Sequence, residues 1–212
     1  ARYLEHNVGV VTCNKIACAD SLSNYVNLKK IARKYGAPFL FETNVGAGLP
    51  VIDTLNNLIA SGDKIHKIQA ILSGSLNFIF NAFTTGVAFH DVVLEAQEKG
   101  FTEPDPKIDL SGVDVARKIL ILARESGLQI ELNDIDNQSF LPLETLQTKS
   151  NNAFFESLKA NATPLWLDLR TTISSPIGPK QNPSTSNPQE TLATLAGENI
   201  RILSMFIVCL FE

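Results

Sequence analysis

The chain is poor in the residues that most often announce a function. It holds 3 cysteines and 3 histidines in 212 residues. Cys13 and Cys18 are close together with no histidine beside them, and Cys209 stands far away. That spacing fits neither a paired zinc knuckle nor a disulfide framework, and it points to a reducing compartment. His6, His66 and His90 lack metal-ligand spacing and read as ordinary histidines. There is no basic surplus: the net charge is -4 and the isoelectric point lies near 5.4, against the positive stripe of a nucleic-acid binder. The longest apolar run, Met205 to Phe211, is far short of the roughly 20 residues that span a bilayer. The first residues, ARYLEHNVGVVTCNK, show no basic segment followed by an apolar run. Ser73-Gly74-Ser75 lacks the flanks of a nucleophile elbow, and no internal repeat is visible. The expectation is a soluble, cytoplasmic protein with neither a membrane nor a nucleic-acid partner.

What is present is an ordinary globular composition, 44% hydrophobic and 19% charged. Val8 to Thr12 is a valine-rich run that predicts a buried strand of a parallel sheet. Tyr25, Leu28, Ile31 and Ala32 keep helical spacing between Ser21 and Tyr35, and Gly36 is a stop signal. Pro38 to Thr43 predicts a second strand and Leu49 to Ile59 a second helix, with Pro50 in its first turn. Strand, helix, strand, helix points to βαβ units and an α/β fold. Further on, Lys64 to Leu72 reads as a strand, while Leu76 to Phe83 and Val92 to Lys99 read as helices. Phe101 to Leu110 holds two prolines and cannot continue a helix. Gly112 to Glu125 is the most regular helix, with Val113, Ala116, Leu120 and Ala123 on one face. After about Ala160 the character changes. Ser174 to Gln189 is dense in proline, serine and asparagine and reads as a linker, and the apolar stretch Ile200 to Phe211 has no evident partner.

Three places could carry chemistry. Glu42-Thr43-Asn44-Val45-Gly46-Ala47-Gly48-Leu49-Pro50 joins a predicted strand to a helix, but Val51 stands where a dinucleotide fingerprint needs its third glycine. The plain reading is a tight turn. The chemical reading is a hard-cation site, in which the glycines turn carbonyls inward beside a carboxylate. The second place runs from Gly100-Phe101-Thr102-Glu103-Pro104-Asp105-Pro106 into Asp109, Asp114 and Lys118. Asp114 and Lys118 are four apart and share a helix face. Either this is an acidic helix start with a surface ion pair, or a pocket whose carboxylates hold an ammonium while the lysine handles a proton. The third is Lys15, at a predicted strand end where open α/β sheets bind ligands, though a solvated loop lysine is the plainer reading.

Four segments, VVTCNK, FETNVGAGLPVI, ILSGSLNFIF and GFTEPDPKIDLSGVDVARK, occur in the order and spacing of homoserine dehydrogenases, and over about residues 1 to 145 the chain resembles that family. The flavour is similar to enzymes fused behind an aspartokinase. The resemblance implies NAD- or NADP-dependent interconversion of L-aspartate 4-semialdehyde and L-homoserine. It casts Lys118 as the acid–base residue and Lys15 as a lysine near both substrate and nicotinamide. Glu103, Asp109, Asp114 and Ser75 would bind the substrate or organise its pocket. Glu42 and the carbonyls of Val45, Ala47 and Leu49 would hold a sodium-type cation. The implied architecture is a remnant of a Rossmann-type nucleotide-binding domain (1–45) followed by an α+β substrate and dimerisation domain with a mixed sheet (46–160). An atypical tail (161–212) follows, and the implied partners are a small-molecule substrate and a second copy of the chain.

The sequence also departs from the family. No G-x-G-x-x-G turn is present, Phe101 stands where a tyrosine is common, and no glycine-rich return segment follows Ala160. The expectation is therefore a chain with little or no dehydrogenase activity alone. The competing expectations are a catalytically dead module that acts by association, and an oxidoreductase for a different semialdehyde.

Overall fold

The computed structural model describes residues 1–160 apart from 66, 85 and 140, together with 200–203 and 206–210. A short helix α1 (Arg2–Glu5) leads into strand β1 (Val10–Val11), helix α2 (Ile16–Ala19), helix α3 (Leu22–Tyr35) and strand β2 (Phe39–Leu40). β1 and β2 pair in parallel, Val10 opposite Phe39, with α3 as the crossover, so the predicted βαβ unit forms. Ser21 starts α3 by accepting the Asn24 amide, and Gly36 ends it. The expectation of burial does not hold: Val11 is 81% exposed and Leu40 54%. Apolarity here marks strand propensity, and among the described residues nothing covers that side of the two strands.

A 3-10 turn (Glu42–Asn44) leads to helix α4 (Val51–Ala60), then strand β3 (Lys67–Ala70), helix α5 (Gly74–Ala82) and helix α6 (Phe89–Glu98). The proline-rich segment breaks the helical run as expected but contains a short helix of its own, α7 (Pro106–Leu110). Proline tolerates the first turn because its missing N–H would be unpaired there, and Asp105 caps the start by accepting the Lys107 amide.

Helix α8 (Val113–Glu125) is the axis of the molecule. Its expected single apolar face is wrong in detail. Val113 is partly exposed, whereas Ile119, Leu120, Ile121, Leu122 and Ala123 are all buried, so the helix is covered on every side along its second half. Phe80, Phe89, Phe154 and Leu158 belong to the same core. After α8 come strand β4 (Ile135–Gln138), helix α9 (Leu143–Leu146) and helix α10 (151–160).

The C-terminal apolar stretch does have partners. It forms β5 (Ile200–Leu203) and β6 (Phe206–Leu210), which complete a four-stranded mixed sheet in the order β3-β6-β5-β4. β6 runs antiparallel to β3 and to β5, and β5 parallel to β4. A run with no obvious periodicity pairs here because the sheet lacked its two inner strands. The linker reading of 174–189 and the histidine reading at 66 lie outside the described residues. Among the described residues no helix is long and apolar enough to cross a membrane.

The start of α8 depends on Gly112, which adopts φ +72°. A Cβ there would stand 2.7 Å from the Asn137 side-chain oxygen, while the Asn137 amide donates to the Ser111 carbonyl at 3.0 Å. Gly112→Ala is therefore expected to destabilise the fold by about 1–3 kcal/mol, read from urea unfolding. A loss below about 0.5 kcal/mol would mean that the turn relaxes freely.

Candidate active site

The first turn of α8 presents Asp114, and one turn later comes Lys118. The expected i,i+4 pair forms, with Nζ 2.8 Å from Asp114 Oδ2. Lys118 also donates to the Leu72 carbonyl, at the end of the β3 segment, at 2.7 Å. The other oxygen of Asp114 meets Lys15, whose Nζ lies 3.1 Å from Oδ1. One carboxylate thus joins two ammonium groups 103 positions apart in the chain (118 minus 15). Burial by itself would raise the Asp114 pKa. The hydrogen bonds and positive charges of Lys118, and then of Lys15, outweigh it and hold the carboxyl below its ordinary value.

The remaining acidic residues divide into two kinds. Asp109 is engaged at both oxygens: Oδ1 accepts from the Ser75 hydroxyl and Oδ2 from the Glu103 backbone N–H, both at 2.8 Å. It ties the start of α5 to the loop before α7, so it organises neighbours. Glu103 is exposed, and among the described residues its carboxylate has no partner. Phe101 packs its ring on Phe78 with centroids 4.6 Å apart. The two rings are tilted at 53° to each other, and Phe101 stays partly exposed.

The third place behaves as a turn. Gly46 and Ala47 both adopt positive φ, +82° and +53°. A Cβ on Gly46 would fall 2.6 Å from a Val51 methyl, so glycine is required. The Glu42 carboxylate caps α4, accepting the Ile52 and Asp53 amides at 2.8 Å each. The Leu49 carbonyl accepts from Val51 N–H, whereas the Val45 and Ala47 carbonyls accept no backbone hydrogen bond among the described residues. Carboxylate and carbonyl oxygens carry more than one lone pair, so this set retains free acceptor capacity. No group of three or more histidine, cysteine, aspartate or glutamate side chains placed to hold a metal occurs among the described residues.

Spacing alone did not single out three further residues. Asn44 is buried. With its amide nitrogen facing the loop carbonyls it donates to Cys13 at 2.8 Å and Thr12 at 3.3 Å, fastening the loop that carries Lys15. Arg124 and Glu125 end α8 inside the protein. Glu125 accepts from the Tyr25 hydroxyl, from Lys29 Nζ at 2.9 and 3.0 Å, and from Asn56 at 3.1 Å. Burial, and then the Glu125 charge, push the Tyr25 pKa well up, so its hydroxyl stays a donor. The same two causes push the Cys18 thiol to about 12, which makes it packing and not a nucleophile. The available signal was two charges of opposite sign closing the apolar run 119–123 of α8.

A family model described as homoserine dehydrogenase matches residues 50–204. The chain belongs to the homoserine dehydrogenase family. It is 49% identical over 158 residues to a bifunctional aspartokinase/homoserine dehydrogenase of Haemophilus influenzae, covering 74% of this chain and 19% of that protein. It is 44% identical over 135 residues to a homoserine dehydrogenase of Schizosaccharomyces pombe, covering 61% of this chain and 36% of that one. The chain therefore spans about a fifth and about a third of these relatives. A crystal structure of a Candida auris protein of unknown function superposes with a TM-score of 0.73 at 34% identity, over 81% of this chain and 48% of that one. A hyperthermophilic archaeal homoserine dehydrogenase in complex with NADPH superposes with a TM-score of 0.53 at 33% identity, over 58% and 37%.

The depressed Asp114 pKa has a stability consequence. Its contribution is fully present above the ordinary aspartate value of 3.8 and is lost as pH falls through the lower folded value. The group is partly exposed, so solvent screening keeps the contribution below about 1 kcal/mol. Urea unfolding should find Asp114→Asn less stable than the unaltered chain near neutral pH, with the gap closing as pH falls below the ordinary aspartate value. A gap that widened on acidification would contradict the pairing.

Proposed function

We propose that the protein interconverts L-aspartate 4-semialdehyde and L-homoserine with a nicotinamide cofactor, NADP or NAD. The observation that carries this reading is one carboxylate, Asp114, held between Lys118 and Lys15 in a chain of the homoserine dehydrogenase family. When bound, the nicotinamide supplies the hydride, which no side chain can. Reduction of an aldehyde builds negative charge on its oxygen. The Lys118 ammonium stabilises that charge and gives up a proton there, and in the reverse direction it takes the proton back. Asp114 fixes the position of that amine, 2.8 Å from its Oδ2. Glu103, whose carboxylate is free among the described residues, binds the substrate ammonium, while Asp109 keeps Ser75 and the Glu103 backbone in place.

Residues 1–45 are read as part of a Rossmann-type nucleotide-binding domain. β1 and β2 both lead to the loops carrying Lys15 and Asn44, the side on which α/β sheets hold ligands. Lys15 is read as a residue near both nicotinamide and substrate, a reading supported by its ion pair with Asp114. The loop at Glu42, Val45, Ala47 and Leu49 is read as a site for a sodium-type cation, supported by its two consecutive positive-φ residues and free acceptor capacity. Residues 46–160 are read as the substrate domain, and the mixed sheet that β5 and β6 of the 161–212 tail complete is read as serving a homodimer. A cytoplasmic location fits the unpaired Cys13 and Cys18.

The test is homoserine oxidation with NADP, and NADPH binding by fluorescence, on the whole protein that carries this sequence. Saturable binding with turnover is expected; no turnover with either cofactor would sink the assignment. Lys118→Ala should lower kcat by about 10²–10⁴-fold with little change in the unfolding midpoint. Turnover within about threefold of the unaltered enzyme, under 1 kcal/mol on the barrier, would remove Lys118 from its role.

A further inference from the structure

Lys15 sits at the start of α2, a helix of four residues that is too short to hold itself in place. Something outside α2 must fix the height at which its ammonium meets Asp114. Helix α8 supplies that hold from its far end. Arg124 Nη1 donates to the Cys18 carbonyl at 2.8 Å and to the Asp20 carbonyl at 2.7 Å, the carbonyls at the end of α2. The rest of the guanidinium is locked in turn. Nε donates to the Ile130 carbonyl at 3.1 Å, and Nη2 lies 2.9 Å from Glu131 Oε2. Glu131 also accepts the Leu22 amide, at the start of α3, at 2.8 Å. About 15 Å of helix separates Asp114 from Arg124, at about 1.5 Å per residue. One rigid helix therefore grips α2 at both ends, by an ion pair at Lys15 and by a buried fork at the terminal carbonyls.

We infer that Arg124 is a positioning residue for Lys15: by fixing the end of α2 against α8, it sets where the Lys15 ammonium meets the Asp114–Lys118 pair. The planar guanidinium suits this role. It spans two carbonyls with one nitrogen while its other nitrogens are held by Ile130 and Glu131, and a lysine ammonium on its flexible stem has no such fork. A cation at the carbonyl end of a helix also meets the favourable end of its dipole. That Lys15 matters to turnover rests on the reaction proposed above. That Arg124 places it does not.

The experiment is competitive acylation of lysines on the folded chain, read by mass spectrometry, because it needs no turnover. In the unaltered chain Lys15 is sheltered by its ion pair and Lys29 by Glu125. In Arg124→Gln, the Lys15 acylation rate should rise about two- to fivefold, the span that loss of one partly exposed ion pair allows. Lys29 and Lys118 should stay near their original rates. Asp114→Asn, which removes the partner directly, should raise Lys15 to the same level. Should Arg124→Gln fail to fold, Glu131→Gln loosens the same guanidinium from a half-exposed position, with a smaller rise expected at Lys15 alone. An unchanged Lys15 rate in a folded variant would overturn the inference, as would Lys15, Lys29 and Lys118 rising together, the mark of general loosening. Absence of homoserine turnover in the unaltered enzyme would sink the reaction assignment and leave this result standing.

Discussion

Two adjacent charges of opposite sign, Arg124 and Glu125, sit inside the protein at the end of α8, and neither can stay there alone. An unpaired buried ion costs several kcal/mol, so partners must come to it. The partners are Tyr25, Lys29 and Asn56 for the carboxylate, and the Cys18, Asp20 and Ile130 carbonyls with Glu131 for the guanidinium. Satisfying these groups brings α2, α3 and α4 onto α8 in one arrangement. Burying apolar surface alone would tolerate many. The desolvated pair thus orients the first part of the chain relative to the helix that carries the candidate chemistry.

The site then follows from what that orientation places together. Lys15 comes from the βαβ unit, Asp114 and Lys118 from α8, the Leu72 carbonyl from the end of the β3 segment, and Ser75 from α5. No single element contains it. These three acidic residues divide their labour by geometry: Asp109 is consumed in holding neighbours, Asp114 in holding two amines, while the Glu103 carboxylate has no partner among the described residues.

Legibility in the sequence tracked the range of the interaction. Ser21 and Gly36 announced both ends of α3, and the four-residue spacing of Asp114 and Lys118 announced their pair, because both act within a turn or two of helix. Burial was harder to read. A valine-rich run looked like a buried strand, yet Val11 is exposed, since burial depends on what covers a strand and not on its own residues. The Lys15–Asp114 contact joins residues 99 positions apart (114 minus 15) and has no periodic signature; only the order of four motifs hinted that the two belong together. Arg124 and Glu125 were hardest, because charges at the end of an apolar helix usually mark its emergence into water. The inner strands β5 and β6 pair with each other but looked partnerless because their outer partners, β3 and β4, lie far back in the chain.

That last separation bears on how the molecule is made. Lys67 of β3 pairs with Leu210 of β6, 143 residues later (210 minus 67). At roughly 5–20 residues per second of synthesis, β3 waits on the order of 7–29 s for its neighbour. During that interval the edge strands exist without the middle of their sheet, exposing unpaired backbone that can recruit other chains. The helical part, with its shorter-range contacts, can assemble first, while closure of the sheet must overcome the entropy of a loop of 143 residues. Among the described elements the sheet is thus the last to close, and that is the stage at which a folding helper would have most to protect.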